Sequence, residues 1–454
     1  MGVDVTGGPG GVGAALEDLT AAAARLGETS GRVADVTGAL LRAGAAPELV
    51  TATPAAPVEV ARVVGELAAL TGLTGLPADS AALLALAVGV RSAVTAYAAA
   101  EQAAALLVES AQDTVVLALS RQPAGLVGAA VVAQGAGLDV AEVVDRVGFA
   151  APWLADLAGG VEGLVAGPLT PADYEDGLGL LVAAGSSRGW LTEAGRGLRV
   201  DAVGASATGP PPRGLADLVA TQAELDNPGS GPDRVRVLQV PQRDGSSTWV
   251  AVIPGTQAWS PRAGANPFDL TSDVLLLAQR QTLLAAGVER ALTLAQRDAG
   301  RAGRSDPVML AGHSQGGIVA AALAADDGFR ARHRVTHVVT TGAPVARLAL
   351  PPTVSVLSLE HTQDVVPRLE GRPNADRRSH VTVTRDLRGD PVVAGRAAAA
   401  HSTAAYIATA EQADRAGSAS LSAWREGAAA FLGDGSSSAQ VRDYRVWREE
   451  GVAR

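Results

Sequence analysis

The sequence predicts an α/β fold, a mostly parallel sheet with flanking helices, preceded by a mainly α-helical N-terminal half. Three observations predict it. Residues 12–119 carry apolar side chains at helical spacing and few strand signals. From about residue 234, short β-branched runs alternate with helical ones, the pattern of strands joined by crossover helices. Every one of the 6 His residues lies at or after position 313, so imidazole chemistry is confined to the second half.

Composition narrows the chemistry. Apolar residues make up 47% of the 454 residues and charged residues 19%, which excludes a disordered chain. Aromatics are only 3%, so the core must be built from Ala, Val and Leu. Without Cys there is no disulfide, thiolate metal site or Cys nucleophile. All 37 positive charges are Arg, which excludes Schiff-base lysine chemistry and a P-loop. The net charge of −10, with no dominant basic patch, makes nucleic acid an unexpected partner.

Taken in order, residues 1–120 read as a helical hairpin or bundle. Leu16, Leu19, Ala23 and Leu26 repeat at helical spacing, and a long Ala-rich run follows the capping residues Asp79 and Ser80. Residues 121–230 read as short helical segments closed by a Pro/Gly linker at 204–213. The most apolar stretch, 124–140, is interrupted by Gln134, Asp139 and several Gly, so a packed helix is expected and no transmembrane segment. Residues 231–412 supply the sheet, with strands expected at 235–240, 248–253, 308–311, 335–340 and 354–359. Helices are expected at 275–299, 317–325 and 402–410, and residues 413–454 as a C-terminal helical extension. A fragment from 231 onward is expected to hold the complete sheet.

Gly312-His313-Ser314-Gln315-Gly316 is the strongest local signal, because it follows an apolar strand and opens an Ala-rich helix. G-x-S-x-G in that setting is a strand-to-helix elbow that lifts a Ser hydroxyl out of the sheet. A Ser hydroxyl needs a base, and the base needs an acid that holds its tautomer. On this kind of sheet the chain order is Ser, acid, His. Asp364 leaves the C-terminal end of the strand that closes at His361, and His401 stands directly before a helix. The developing oxyanion needs donors. The N–H of Gln315 is one candidate, and the N–H and hydroxyl of Thr256, after the strand-end Pro254-Gly255 turn, are the other.

Competing residues are present. His380 follows the acid and is the runner-up base, although it opens an alternating strand behind an Arg-rich loop. His361, His333 and His337 precede Asp364, and His313 is expected to support the elbow. Glu360 is the alternative acid, inside a strand.

These pieces resemble the α/β-hydrolase superfamily, in particular class 3 lipase-like serine hydrolases. The matching motifs are Pro254-Gly255-Thr256, the elbow at Ser314, Thr341-Gly342-Ala343-Pro344, Asp364-Val365-Val366-Pro367, and His401 before a Tyr-bearing helix. The resemblance covers roughly residues 235–410 and implies hydrolysis of a carboxylic ester, of a small molecule or a lipid, with no metal or organic cofactor. Sparse aromatics and the lack of a bulky lid helix depart from the lipid-cleaving members. The alternatives are a secreted or envelope-associated interaction protein with an inactive hydrolase fold, or an acyltransferase or peptidase on the same fold. Tyr97-Ala-Ala-Ala-Glu101 resembles the Tyr-x-x-x-Asp/Glu export signal of type VII secretion substrates. That resemblance implies a protein partner for the helical half. The N-terminus has no basic and apolar signal-peptide pattern, so a cytoplasmic location or a type VII-like export route is expected.

Overall fold

The computed structural model describes residues 2–120, 140–152, 155, 174–193, 196–227, 229, 231–433 and 438–449. The chain divides into two compact units, Val12–Leu107 and a larger one made of Met1–Gly11 with Val108–Arg454.

The larger unit is built on one sheet of nine strands among the described residues: β1 (Asp4–Gly7), β2 (Gly197–Gly209), β3 (Arg234–Pro241), β4 (Ser247–Ile253), β5 (Pro307–His313), β6 (Arg334–Thr341), β7 (Ser355–His361), β8 (His380–Arg385) and β9 (Ala439–Glu449). Their spatial order is β1-β8-β7-β6-β5-β4-β3-β9-β2. The five strands β4 to β8 are parallel neighbours, and antiparallel strands flank them on both sides.

Strands β4 and β5 place apolar residues on both faces because both faces are covered. On β4, Trp249, Ala251 and Ile253 face one core while Val250 and Val252 face the other. On β5, Val308 and Leu310 alternate in the same way with Met309 and Ala311. The first core is closed by the helices Leu283–Asp298 and Gln315–Ala325, the second by Leu215–Asp226, Thr403–Arg415 and Ala419–Ala428. Asp414 ties two of these helices together, since its carboxylate accepts from the N–H groups of Leu215 and Ala216 at 3.0 Å each.

Four boundaries differ from the sequence reading. The stretch 204–213 is not mainly linker: its first part belongs to β2, an exposed Gly- and Ala-rich edge strand whose pairing with β9 slips between Val203 and Ala207. The C-terminal extension is helical only at first and ends in β9, which lies between β3 and β2. The helix expected over 275–299 is two, Leu270–Leu277 and Leu283–Asp298. Gln279 in the left-handed region (φ 53) breaks them, and the Thr282 hydroxyl caps the second by accepting from the Ala285 N–H. A fragment from 231 onward therefore lacks β1, β2 and the helix Leu215–Asp226, all of which pack on or extend the sheet.

The smaller unit is helical, with Val12–Gly44, Pro47–Ala52, Pro57–Thr71 and the first part of Leu76–Ser120. Its contacts rest on small residues. Ser30 and Ser80 exchange hydroxyl-to-carbonyl hydrogen bonds at 2.8 and 3.0 Å, and Ala14, Ala23 and Ala87 are buried. Leu84, Leu86 and Val88 stay about half exposed. The stretch Pro57–Ala100 is long and apolar enough to cross a membrane, with a mean hydropathy of 1.6 over its most apolar 18 residues and 6% of that window buried. This is a property of length and composition alone, and it does not test the expectation of no transmembrane segment. Arg91 is its only charge between Ser80 and Ala100. The stretch 124–140, on which that expectation was based, lies outside the described residues up to position 139.

Candidate active site

Parallel strands deliver their following loops to one edge of the sheet. The turn after β4 carries Thr256, the turn after β5 carries Ser314, and the loop after β7 carries Asp364. His401 enters over the same edge from the longer segment after β8, between the short helix Ala397–Ala400 and the helix Thr403–Arg415.

The elbow is tight for reasons its glycines make plain. A Cβ on Gly312 would run into the backbone of Gly316, and one on Gly316 would meet the carbonyl of Ile253. Ser314 itself sits at φ 53, ψ −121, a conformation L-residues avoid, and it is held there by its N–H bond to the Thr341 carbonyl at 2.8 Å. The helix Gln315–Ala325 begins at the next residue and directs its N-terminal N–H groups, with their partial positive charge, at the site.

Ser314, His401 and Asp364 come together. The Ser314 Oγ lies 3.0 Å from His401 Nε2, and His401 Nδ1 lies 2.7 Å from Asp364 Oδ2. Asp364 is fully buried, yet it accepts two further hydrogen bonds, from the Tyr406 hydroxyl at 2.7 Å and from the Val366 N–H at 2.9 Å. Burial works to raise this carboxyl, but the facing His401 ring and the Tyr406 hydroxyl outweigh it and hold the group below its ordinary value. Burial works to lower the His401 ring, but Asp364 outweighs it and raises the ring above its ordinary value, with Asp226 and Asp273 adding to the effect. The imidazole is thus basic, and its Nδ1–H is fixed toward the acid.

Thr256 stands beside the elbow, but its hydroxyl donates to Asp273 Oδ2 at 2.9 Å. That engagement commits the hydroxyl and leaves the backbone N–H. Neither that N–H nor the N–H of Gln315 has a hydrogen-bond acceptor among the described residues. The Gln315 side chain instead ties the elbow to the next loop, donating to the Asp269 carbonyl at 2.7 Å. Burial pushes Asp273 up to about 7, against the opposing pull of the Thr256 hydroxyl.

The competing residues sit elsewhere. His380 starts β8, away from the loop edge, and bonds to the Ser358 hydroxyl at 2.9 Å. Burial, helped by Arg377, pushes it down to about 4. Glu360 accepts from the Asn374 amide at 2.5 Å and makes no contact with a histidine among the described residues; burial pushes it up to about 7. His361 stacks on the Tyr406 ring with centroids 3.8 Å apart and bonds the Ala400 carbonyl at 2.6 Å, just ahead of His401. Burial pushes it down to about 4, so it is a neutral buttress. His313 packs against His401, their ring centroids 4.8 Å apart, and contacts Asp226.

Residues 271–393 match a family model described as a PGAP1-like alpha/beta domain. That family is of the α/β-hydrolase type, and the match agrees with the sheet and its flanking helices. The PGAP1-like span contains Ser314 and Asp364 and ends before His401; Thr256 lies ahead of it. No curated protein and no solved structure is significantly similar to the chain.

The sequence reading missed Tyr406, Asp273 and Asp226. Tyr406 carries a weak signal, a Tyr on the helix that opens after His401. The two aspartates lie on other elements and look, in the sequence, like ordinary helix carboxylates.

Proposed function

We propose that this chain is a serine hydrolase that cleaves a carboxylic ester, of a small molecule or a lipid, through an acyl-enzyme. The observation that carries the reading is the hydrogen-bonded line from Ser314 through His401 to Asp364, at 3.0 and 2.7 Å, on a strained elbow at the loop edge of the sheet. As Ser314 Oγ attacks the ester carbonyl, its proton passes to His401 Nε2. Asp364 stabilises the imidazolium that forms. The oxyanion accepts from the backbone N–H groups of Thr256 and Gln315, and the start of the helix Gln315–Ala325 adds its dipole. His401 then gives the proton to the departing alkoxide, which leaves as the alcohol. In the second half His401 takes a proton from water, whose hydroxide adds to the acyl carbon; the acid is released and Ser314 regains its proton.

The resemblance of the motifs around Thr256, Ser314, Gly342 and Asp364 to class 3 lipases supports an ester as the substrate. The test is turnover of p-nitrophenyl esters from acetyl to palmitoyl by the wild type and by Ser314→Ala. Loss of a catalytic serine costs on the order of a millionfold in kcat. Hydrolysis at the wild-type rate by folded Ser314→Ala protein rejects the assignment, and the ester turned over fastest defines the acyl preference.

A further inference from the structure

The elbow histidine has more partners than supporting a turn requires. His313 Nδ1 lies 2.8 Å from Asp226 Oδ2, and Nε2 lies 3.0 Å from the backbone carbonyl of His401. The other oxygen of Asp226 accepts the N–H of Gly255 at 2.7 Å, one residue before Thr256. One carboxylate at the end of the helix Leu215–Asp226 therefore holds the oxyanion turn directly and the His401 backbone through a single ring. The atoms involved are enclosed: the side chains of His313 and Asp226 are 9% and 20% exposed. The helix that presents Asp226 is anchored in the second core by Leu215, Leu218, Val219 and Leu225. It also lies outside the PGAP1-like span.

We propose that Asp226 and His313 form a positioning pair that holds His401 and the Gly255-Thr256 turn in register with Ser314. The proposal rests on the serine-hydrolase reading and deepens it. Its logic is geometric. Ser314 and His313 share one strand end, so whatever fixes His313 is fixed relative to the nucleophile. From there one hydrogen bond reaches the backbone of the base, and the Asp226 carboxylate reaches the oxyanion turn. A displacement of about 1 Å at such a site costs on the order of a hundredfold in rate.

The donor pattern distinguishes positioning from charge. Both ring nitrogens of His313 face oxygens that accept, and both contacts are hydrogen bonds when each nitrogen carries a proton. Asn at position 226 satisfies the same geometry with a neutral ring. Its amide oxygen accepts from Gly255, its NH₂ donates to Nδ1, and Nε2–H still reaches the His401 carbonyl. Ala at 226 removes both contacts that this side chain makes, to Gly255 and to His313 Nδ1, and leaves the His313 ring unanchored at that nitrogen.

The experiment measures kcat and KM separately for p-nitrophenyl butyrate in the wild type, Asp226→Ala, Asp226→Asn and Ser314→Ala, each checked for a cooperative thermal transition. Asp226→Ala is expected to lose about tenfold to a hundredfold in kcat with KM changed less than about threefold, and Asp226→Asn to keep at least about a third of kcat. If Asp226→Ala does not fold, His313→Asn replaces it. Its amide stands in for Nδ1 alone and severs the contact to His401, so kcat should fall at least about tenfold at unchanged KM. Folded Asp226→Ala or His313→Asn with wild-type kcat overturns the proposal, and so does an Asp226→Asn protein as impaired as Asp226→Ala. If Ser314→Ala is inactive while Asp226→Ala is unimpaired, only the positioning pair fails. Full turnover by Ser314→Ala instead removes the hydrolase reading beneath it.

Discussion

Replacing Tyr406 with Phe removes one oxygen from the interior and leaves the ring. The ring is fully buried and stacked on His361 at 3.8 Å, so its packing is retained. What disappears is the hydroxyl that donates to Asp364 Oδ2 at 2.7 Å. Asp364 is out of contact with solvent, so no water replaces that donor. A hydrogen bond to a buried charged group is worth about 1.5–3 kcal/mol, and Tyr406→Phe should lose stability in that range. Two donors remain on the carboxylate, His401 Nδ1 and the Val366 N–H. Catalysis should therefore fall by about tenfold to a hundredfold in kcat, well short of the roughly 10⁴-fold lost when a triad acid is replaced outright. Urea denaturation with an unchanged m-value measures the first quantity, and ester turnover measures the second. A variant within about 0.5 kcal/mol of wild-type stability and within about twofold of its kcat would refute the reasoning that the Tyr406 hydroxyl supports the acid.

Three further outcomes follow from the same geometry. Gly342→Ala places a Cβ in the left-handed region (φ +60), 2.9 Å from the Tyr406 ring and 3.0 Å from Asp364 Oδ2, so it should cost at least about 1–2 kcal/mol by denaturation and lower kcat. Normal activity in this variant would show that the Gly342-Ala343-Pro344 turn does not shape the acid's pocket. Arg448→Ala leaves the buried Asp269 without the guanidinium that binds it at 2.6 Å and leaves Glu193 with only the Leu283 N–H, which should cost about 3–5 kcal/mol by urea titration; a loss under about 1 kcal/mol would show that this buried ion pair does not hold the region together. The pH dependence has opposite signs for rate and stability. His401 accepts a proton only when neutral, so activity should rise with pH along a limb centred above the ordinary 6.5. The stability its raised value contributes is fully present below 6.5 and is lost as pH rises through the folded value. An acid limb centred below 6.5 would contradict the Asp364–His401 pairing.

How much of this was legible in the sequence depended on how local the constraint was. The elbow could be read because its demands are met within five residues, by Gly312, Ser314 and Gly316 between a strand and a helix. Asp364 and His401 could be ranked because chain order on a parallel sheet fixes which strand end each one leaves. The choice between His401 and His380 stayed open there, and the distances separate them: one faces Ser314, the other is enclosed beside Ser358. Tyr406 showed only as a Tyr on the helix after His401, and Asp273 and Asp226 could not be read, since each acts through a contact with another element. Strands β1, β2 and β9 were hidden for different reasons. β1 is only 4 residues long, β2 is Gly- and Ala-rich and largely exposed, and β9 places the charged Arg448 at an inward position. In the helical unit the apolar period was visible, but its Ala-rich character gave no means of telling a packed face from an exposed one.

The account stands or falls on the reactivity of one hydroxyl. The most direct measurement treats the purified full-length protein with a fluorophosphonate and locates the adduct by peptide mass spectrometry, with ester turnover followed in parallel. The account predicts a single phosphonyl adduct on Ser314, with turnover lost in proportion to labelling and no adduct in Ser314→Ala. An unmodified Ser314 in protein that still hydrolyses esters, or full turnover after Ser314 is labelled, would contradict it.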